Sequence, residues 1–250
     1  VEFIWHSIAE LNHELGKHGG ELNVRHGRAA DEIPKLATEL KVQAVYANHD
    51  YEPRAIGRDQ AVAATLAKTD IEFLSFKDQV VFEKDEVLTQ AGRPFTVFTP
   101  YKNAWLKKLD DSFLQAHLVE KYLHKLAKPD LHSPIPTLEF LGFHTTNLLQ
   151  LGIRPGMSGA RATLQDFLPR LAGYKQRRDF PGIKGVSYLS VHNRFGTISI
   201  RELARIATAE NSEGAQTWLA ELIWRDFYFN ILYHFPHAAE RSFKPEYANL

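Results

Sequence analysis

Residues 221 to 228 place four chemically different side chains on one face of a predicted helix. At 3.6 residues per turn, these side chains recur at i, i+3, i+4 and i+7: Glu221, Trp224, Arg225 and Tyr228. A carboxyl group can donate or accept a proton, a guanidinium binds anionic oxygens, and aromatic rings stack on planar ligands. The pattern predicts either a site for a planar, partly anionic ligand or an ordinary surface on which Arg225 pairs with Glu221.

The first half of the chain alternates between helical and extended patterns. Helices are predicted at 2–15, 31–40 and 53–68, and strands at 21–27, 42–48 and 71–76. Helices between short apolar strands indicate a parallel sheet that is covered on both faces.

The chain becomes helical after Gly159. Single helices are predicted over 160–174 and 199–209, the second with Ser199 and Glu202 spaced as a capping box. The helix that carries Glu221 follows, with Asn211 or Ser212 as its N-cap. The stretch PDLHSPIPTLEF, with three prolines, reads as an extended linker before this part. The predicted organisation is an α/β parallel-sheet, Rossmann-like domain (1–125), a linker (126–155) and an all-α domain (156–250).

Composition excludes several classes of function. The chain has no cysteine, which removes disulfides, thiol catalysis and cysteine-bound zinc. Its twelve histidines form no HExxH or similar spacing, so no metal site is predicted. There is no run of 18 apolar residues and no signal-peptide pattern at the start, so we expect a cytoplasmic protein without a membrane partner.

Positive charge is concentrated between residues 154 and 208. Net charge over the chain is zero, but this segment has ten Lys or Arg and three acidic residues. A local excess of this kind favours a polyanionic partner such as a phosphate chain. The alternative is a solvated basic face that acids elsewhere in the fold balance.

Four long motifs resemble those of the DNA photolyase and cryptochrome family, in the family's order. They are YANHDYEPRAIGRD, FTVFTPYKNAWLKKL, GYKQRRDFPGIKGVSYLSVHNRFGTIS and TWLAELIWRDFYFNILYHFP. The resemblance covers nearly all 250 residues. It implies an α/β antenna domain, a linker and a helical FAD domain. It also implies light-driven electron transfer from FAD to a lesion in UV-damaged DNA.

The resemblance assigns roles to individual residues. Flavin-contacting positions are Tyr174, Val186, Ser187, Tyr188, Leu189, Ser190, Trp218 and Arg225, and DNA-contacting positions are Arg178, Glu221, Trp224, Arg225 and Tyr228. Two positions depart from the family pattern, because the family usually has Thr at Val186 and some members have Arg at Tyr188. Glu221 and Trp224 are the expected catalytic residues: Trp224 would stack on a flipped-out dimer, and a protonated Glu221 would donate to its carbonyl.

The pair Glu221 and Trp224 favours a class I cyclobutane pyrimidine dimer photolyase. Three alternatives remain open: a cryptochrome that signals and repairs nothing, a (6-4) photoproduct photolyase, and a helical scaffold whose aromatic stripe is only core. A methenyltetrahydrofolate or deazaflavin antenna chromophore is compatible with the resemblance, and a monomer is expected. The family has a strand before the point matching residue 1 and helices beyond the point matching residue 250. Residues 1–250 alone are therefore expected to bind FAD weakly or not at all and to be inactive.

Overall fold

The computed structural model describes residues 1–127 and 134–247. The helices are α1 (Glu2–Gly16), α2 (Ala29–Glu39), α3 (Pro53–Leu66), α4 (Phe98–Lys108), α5 (Gly156–Phe167), α6 (Tyr174–Arg177), α7 (Ser190–Phe195), α8 (Ile200–Ala209) and α9 (Glu213–His234). The strands are β1 (Ala44–Asn48) and β2 (Glu72–Phe76). None of the helices in the described ranges combines the length and the apolar character that crossing a bilayer requires.

The structure divides into two compact units, each made of two separate stretches of the chain. One unit is Val1–Arg25 with Gln115–Leu219, and the other is His26–Leu114 with Ala220–Leu250. Helix α9 therefore starts in the first unit and continues in the second. The boundaries at 125 and 155 stay a prediction, and the predicted linker lies partly outside the described residues.

The second unit contains the predicted parallel sheet. Strands β1 and β2 pair in parallel from Ala44–Glu72 to Asn48–Phe76, and α3 connects them. The core between the sheet, α2 and α3 buries small and branched side chains: Ala37, Val62, Leu66 and Ile71. The α/β fold with a helical part is confirmed. The strand predicted at 21–27 is wrong, because the side chain of Asn12 accepts the Leu22 N–H at 2.8 Å and holds this segment against α1.

The first unit is built on α1 and α5. The Ser7 hydroxyl oxygen accepts the Gly156 N–H at 3.0 Å, and Glu10 accepts the Ser158 N–H at 2.8 Å. These two side chains of α1 satisfy N–H groups that the first turn of α5 leaves without helical partners. Helix α5 is therefore capped by a neighbouring helix and not by its own N-cap residue.

Two local predictions in the helical part are corrected and one is confirmed. The helix predicted over 160–174 ends at Phe167 and continues as a 3₁₀ segment, Leu168–Gly173, because Pro169 has no N–H to donate to the preceding turn. Ser199 is the N-cap of α8, but its side chain makes no capping bond, so the capping box is absent. Ser212 caps α9 as predicted, with its hydroxyl oxygen accepting the Ala215 N–H at 3.2 Å.

Candidate functional site

Trp224 lies in a cluster of aromatic rings in the second unit. Its indole stacks on Phe98, the first residue of α4, with ring centroids 3.6 Å apart and planes inclined by 7°. Tyr228, one turn further along α9, stacks obliquely on the same indole at 5.3 Å. Trp224 is half-buried, whereas 62% of Tyr228 is exposed. The orientation of the indole is thus set by protein contacts before any ligand arrives.

Arg225 is held by the loop that follows β2. Its guanidinium donates to the backbone carbonyl of Gln79 and lies 4.7 Å above the ring of Phe229. A hydrogen bond and a cation–π contact therefore both restrain the guanidinium. Glu221 is half-buried one turn before Arg225. The structure therefore keeps Glu221, Trp224, Arg225 and Tyr228 on one helix, as the sequence predicts.

Tyr174 and Trp218 meet on a third ring in the first unit. Both are buried, and both make edge contacts with Phe167, at centroid distances of 5.9 Å for Tyr174 and 5.0 Å for Trp218. Gly214 makes this packing possible, because a Cβ there would lie 2.1 Å from the Leu171 carbonyl oxygen. The two predicted flavin-side residues are thus neighbours within one packed cluster.

The segment from Val186 to Leu189 is irregular and leads into α7, which begins at Ser190. Tyr188 adopts a left-handed backbone conformation at φ 58° and is half exposed, while the Ser187 hydroxyl accepts the Leu189 N–H at 3.4 Å. Tyr188 and Ser190 line a cavity of about 740 Å³, a volume within the usual range for small-molecule sites. Polar side chains on the other walls are Arg154, Thr163, Asp166 and Lys184.

Part of the basic segment is neutralised locally. Asp166 pairs with Arg170 at 2.7 Å and with Lys184 at 2.8 Å, and these two cations lower the pKa of its carboxyl group. Arg178 lies 5.6 Å above the ring of Tyr174 and 3.3 Å from Asp179. Arg178 therefore sits beside a predicted flavin-side residue, with part of its charge balanced.

Sequence reasoning missed Asp226. This side chain is 1% exposed, and one of its oxygens accepts hydrogen bonds from the N–H groups of Val81 and Phe82 and from the Trp105 indole. Burial raises the pKa of the Asp226 carboxyl to about 6, against the effects of these bonds and of Arg225. In the sequence, Asp226 is marked only by its position next to Arg225. That position does not predict that the Asp226 side chain is buried.

In the described part of the chain, no group of three or more His, Asp or Glu side chains is arranged to hold a metal ion.

Comparison with known proteins identifies the family. A family model described as DNA photolyase matches residues 1–121. The deoxyribodipyrimidine photo-lyase of a Synechococcus species is 34% identical over 98% of this chain and 53% of its own length.

Two solved structures resemble this chain. The class III photolyase of Agrobacterium tumefaciens is 28% identical, with a TM-score of 0.84 over 96% of this chain and 51% of its own. The archaeal photolyase of Sulfolobus tokodaii, solved with two FAD molecules, is 25% identical, with a TM-score of 0.66 over 99% of this chain and 51% of its own. The chain spans about half the length of the curated relatives that it matches. Together with the parallel sheet, the helical part and the aromatic face of α9, these similarities show that the chain belongs to the DNA photolyase family.

Proposed function

We propose that the natural protein repairs cyclobutane pyrimidine dimers in DNA by light-driven electron transfer from reduced FAD to a flipped-out lesion. The observation that carries the proposal is the α9 face, where Glu221, Trp224, Arg225 and Tyr228 lie together and protein contacts orient the indole. A damaged base pair is already weakened, so extruding the lesion costs only a few kcal/mol, and an aromatic side chain recovers part of this cost by stacking.

The residues present fit their share of a FAD site. The segment Ser187–Ser190 and the cavity beside it offer hydroxyl groups and the cation Arg154, which suit diphosphate oxygens, whereas Lys184 is paired with Asp166 on the same cavity wall. Tyr174 and Trp218, the predicted flavin-side residues, are buried against Phe167 in the same unit and are not among the residues that line this cavity. Val186 has no side-chain hydroxyl, so this site has one possible hydrogen bond to FAD fewer than a site with Thr at the same position. When bound, reduced FAD would supply the electron that opens the dimer.

Within this proposal, the chain's own residues bind and orient the lesion. Trp224 and Tyr228 stack on the extruded bases, Arg178 and Arg225 hold phosphates, and a protonated Glu221 donates to the carbonyl on which negative charge develops. An antenna chromophore, a methenyltetrahydrofolate or a deazaflavin, is proposed for the α/β part. A monomeric state and a place in the bacterial cytosol or nucleoid stay predictions.

The direct test uses the natural protein with its flavin reduced. We expect blue light to restore an oligonucleotide with one cyclobutane thymine dimer, and darkness to leave it unchanged. Under the same illumination an oligonucleotide with one (6-4) photoproduct should stay damaged. Repair of the (6-4) substrate alone would identify the other photolyase activity, and absence of any repair would favour a cryptochrome.

Replacing Glu221 by alanine should lower the repair yield per absorbed photon severalfold and leave lesion affinity nearly unchanged. The proposed hydrogen bond strengthens as charge develops, so its loss affects the reacting state more than the bound state. Glu221→Gln retains an N–H donor and should keep most of the yield. The measurement is the repair yield per absorbed photon at saturating substrate. An undiminished yield in the alanine variant would contradict the donor role and favour a surface on which Glu221 only pairs with Arg225.

Replacing Arg178 by alanine should weaken DNA binding and flatten its salt dependence. Each phosphate contact that is lost reduces the slope of log K against log salt by about 0.9 for duplex DNA. Arg178→Lys retains the charge and serves as the control, because it should keep the slope. Titrations at several salt concentrations measure both quantities. If affinity and slope are those of the wild type, the phosphate role of Arg178 is wrong.

A further inference from the structure

The buried carboxyl group of Asp226 collects three donors from two segments of the second unit. One oxygen, Oδ2, accepts the Val81 N–H at 3.0 Å, the Phe82 N–H at 3.1 Å and the Trp105 indole N–H at 3.1 Å. A carboxylate away from water is costly unless such bonds replace its hydration. Removing it would leave three buried donors without an acceptor.

Neighbouring side chains of α9 bind both ends of the same loop, residues 79–84. Arg225 donates to the Gln79 carbonyl at its start. The Asn230 amide donates to the Lys84 carbonyl at 2.8 Å, and the ring nitrogen of His234 lies 3.2 Å from the same oxygen. The loop is thus attached to α9 at its start, at its middle through Asp226, and at its end. The direction of the Arg225 side chain depends on this attachment.

Helix α4 links Asp226 to Trp224. Phe98 and Trp105 lie two turns apart on α4, so they share a face. Trp105 donates to Asp226, and Phe98 stacks on Trp224. Between them, Tyr101 contacts Phe227 with ring centroids 5.2 Å apart. Sliding of α4 along α9 would break the Trp105 bond and the Phe98 stack together, so the buried bond sets the register of the stack.

We propose that Asp226 is a positioning residue of the lesion site, which orients Trp224 through α4 and Arg225 through the 79–84 loop. In this proposal Asp226 does not contact the lesion. It acts through Trp224 and Arg225, which do. The inference rests on the proposed function, because its consequence is measured as lesion binding and repair.

The ionisation of Asp226 gives a second, independent readout. Its other oxygen, Oδ1, accepts no hydrogen bond within the described residues. The titratable groups that interact with this carboxyl are Arg225 on its own helix, Tyr101 on α4 and Tyr51 after β1. Burial raises its pKa from 3.8 to about 6, so folding favours the neutral form. The contribution of Asp226 to stability should therefore fall as pH rises from about 4 to about 6.

The test compares Asp226→Ala with Asp226→Asn in the natural, flavin-loaded protein, well below its unfolding temperature. Alanine removes the acceptor, so affinity for dimer-containing DNA should fall by about 5- to 150-fold, the range expected if the stacking of the lesion on Trp224 is lost. Asparagine retains an acceptor oxygen for the three donors. It should keep most of the affinity and repair yield, and it should remove the part of the change in unfolding midpoint between pH 4 and pH 6 that Asp226 contributes.

Val62→Ala is the matched control for general destabilisation. Val62 is buried in the α2–α3 core, so its truncation should lower stability and leave lesion affinity unchanged. If the alanine variant at 226 does not fold, Trp105→Phe removes one donor and retains a ring, and it should weaken lesion binding. Wild-type lesion affinity in the alanine variant, or in Trp105→Phe where the alanine variant does not fold, would overturn the positioning role. Absence of repair in the wild type would instead overturn the proposed function.

Discussion

Replacement of Trp224 by alanine is expected to weaken binding of dimer-containing DNA by about 5- to 150-fold. Stacking of a base on an aromatic side chain contributes about 1–3 kcal/mol, which corresponds to that range of dissociation constants. The indole is already fixed by its stack on Phe98, so little conformational entropy is lost when a lesion binds. The measurement is the dissociation constant in darkness, for a dimer-containing oligonucleotide and for its undamaged counterpart.

The undamaged oligonucleotide separates stacking from a general loss of DNA binding. Its affinity depends on phosphate contacts, so Trp224→Ala should change it little. Trp224→Phe retains an aromatic face in the same cluster and should recover most of the lesion affinity. Equal weakening on both oligonucleotides would show that the substitution disturbs the protein and would contradict a stacking role for Trp224.

Replacement of Gly214 by alanine is expected to destabilise the protein by about 1–3 kcal/mol or more. A Cβ at this position would lie 2.1 Å from the Leu171 carbonyl oxygen and 2.4 Å from that of Ala172. Both obstacles are backbone atoms, so no side-chain rotation relieves the overlap. The first turn of α9 would have to move away from the Leu168–Gly173 segment. Trp218, one turn further on, would then lose its contact with Phe167.

Gly57 provides the matched control for this substitution. It also lies in a helix, α3, but a Cβ there would meet nothing within 4 Å. Gly57→Ala should therefore stabilise the protein by about 0.4–1 kcal/mol, because alanine reduces the entropy of the unfolded chain. The midpoints of urea unfolding, followed by circular dichroism, compare the two variants. A stable Gly214→Ala variant would show that α9 and the Leu168–Gly173 segment separate at little cost.

The amino-acid sequence by itself determined the local elements of this protein. Apolar periodicity located α1, α2, α3 and both strands, because residues that share a face must recur at the period of their own element. Asn211 and Ser212 were identifiable as the N-cap candidates of α9 because a cap acts on N–H groups two or three residues away, and the structure shows that Ser212 is the cap. The shared face of Glu221, Trp224, Arg225 and Tyr228 and the family motifs were equally visible, since both depend on spacing within one segment.

Only the tertiary structure decided how these elements meet. Asp226 is bonded to Trp105 and Val81, which lie 121 and 145 positions away along the chain, and no local pattern reports such a pairing. The stack of Phe98 on Trp224 is likewise not predictable from a local pattern, because in the sequence each of the two residues looks like an ordinary apolar position. The segment at 21–27 has the composition of a strand, but Asn12 of α1 binds its backbone instead. Contacts between distant segments depend on packing in three dimensions, and a single sequence carries no periodic signal for them.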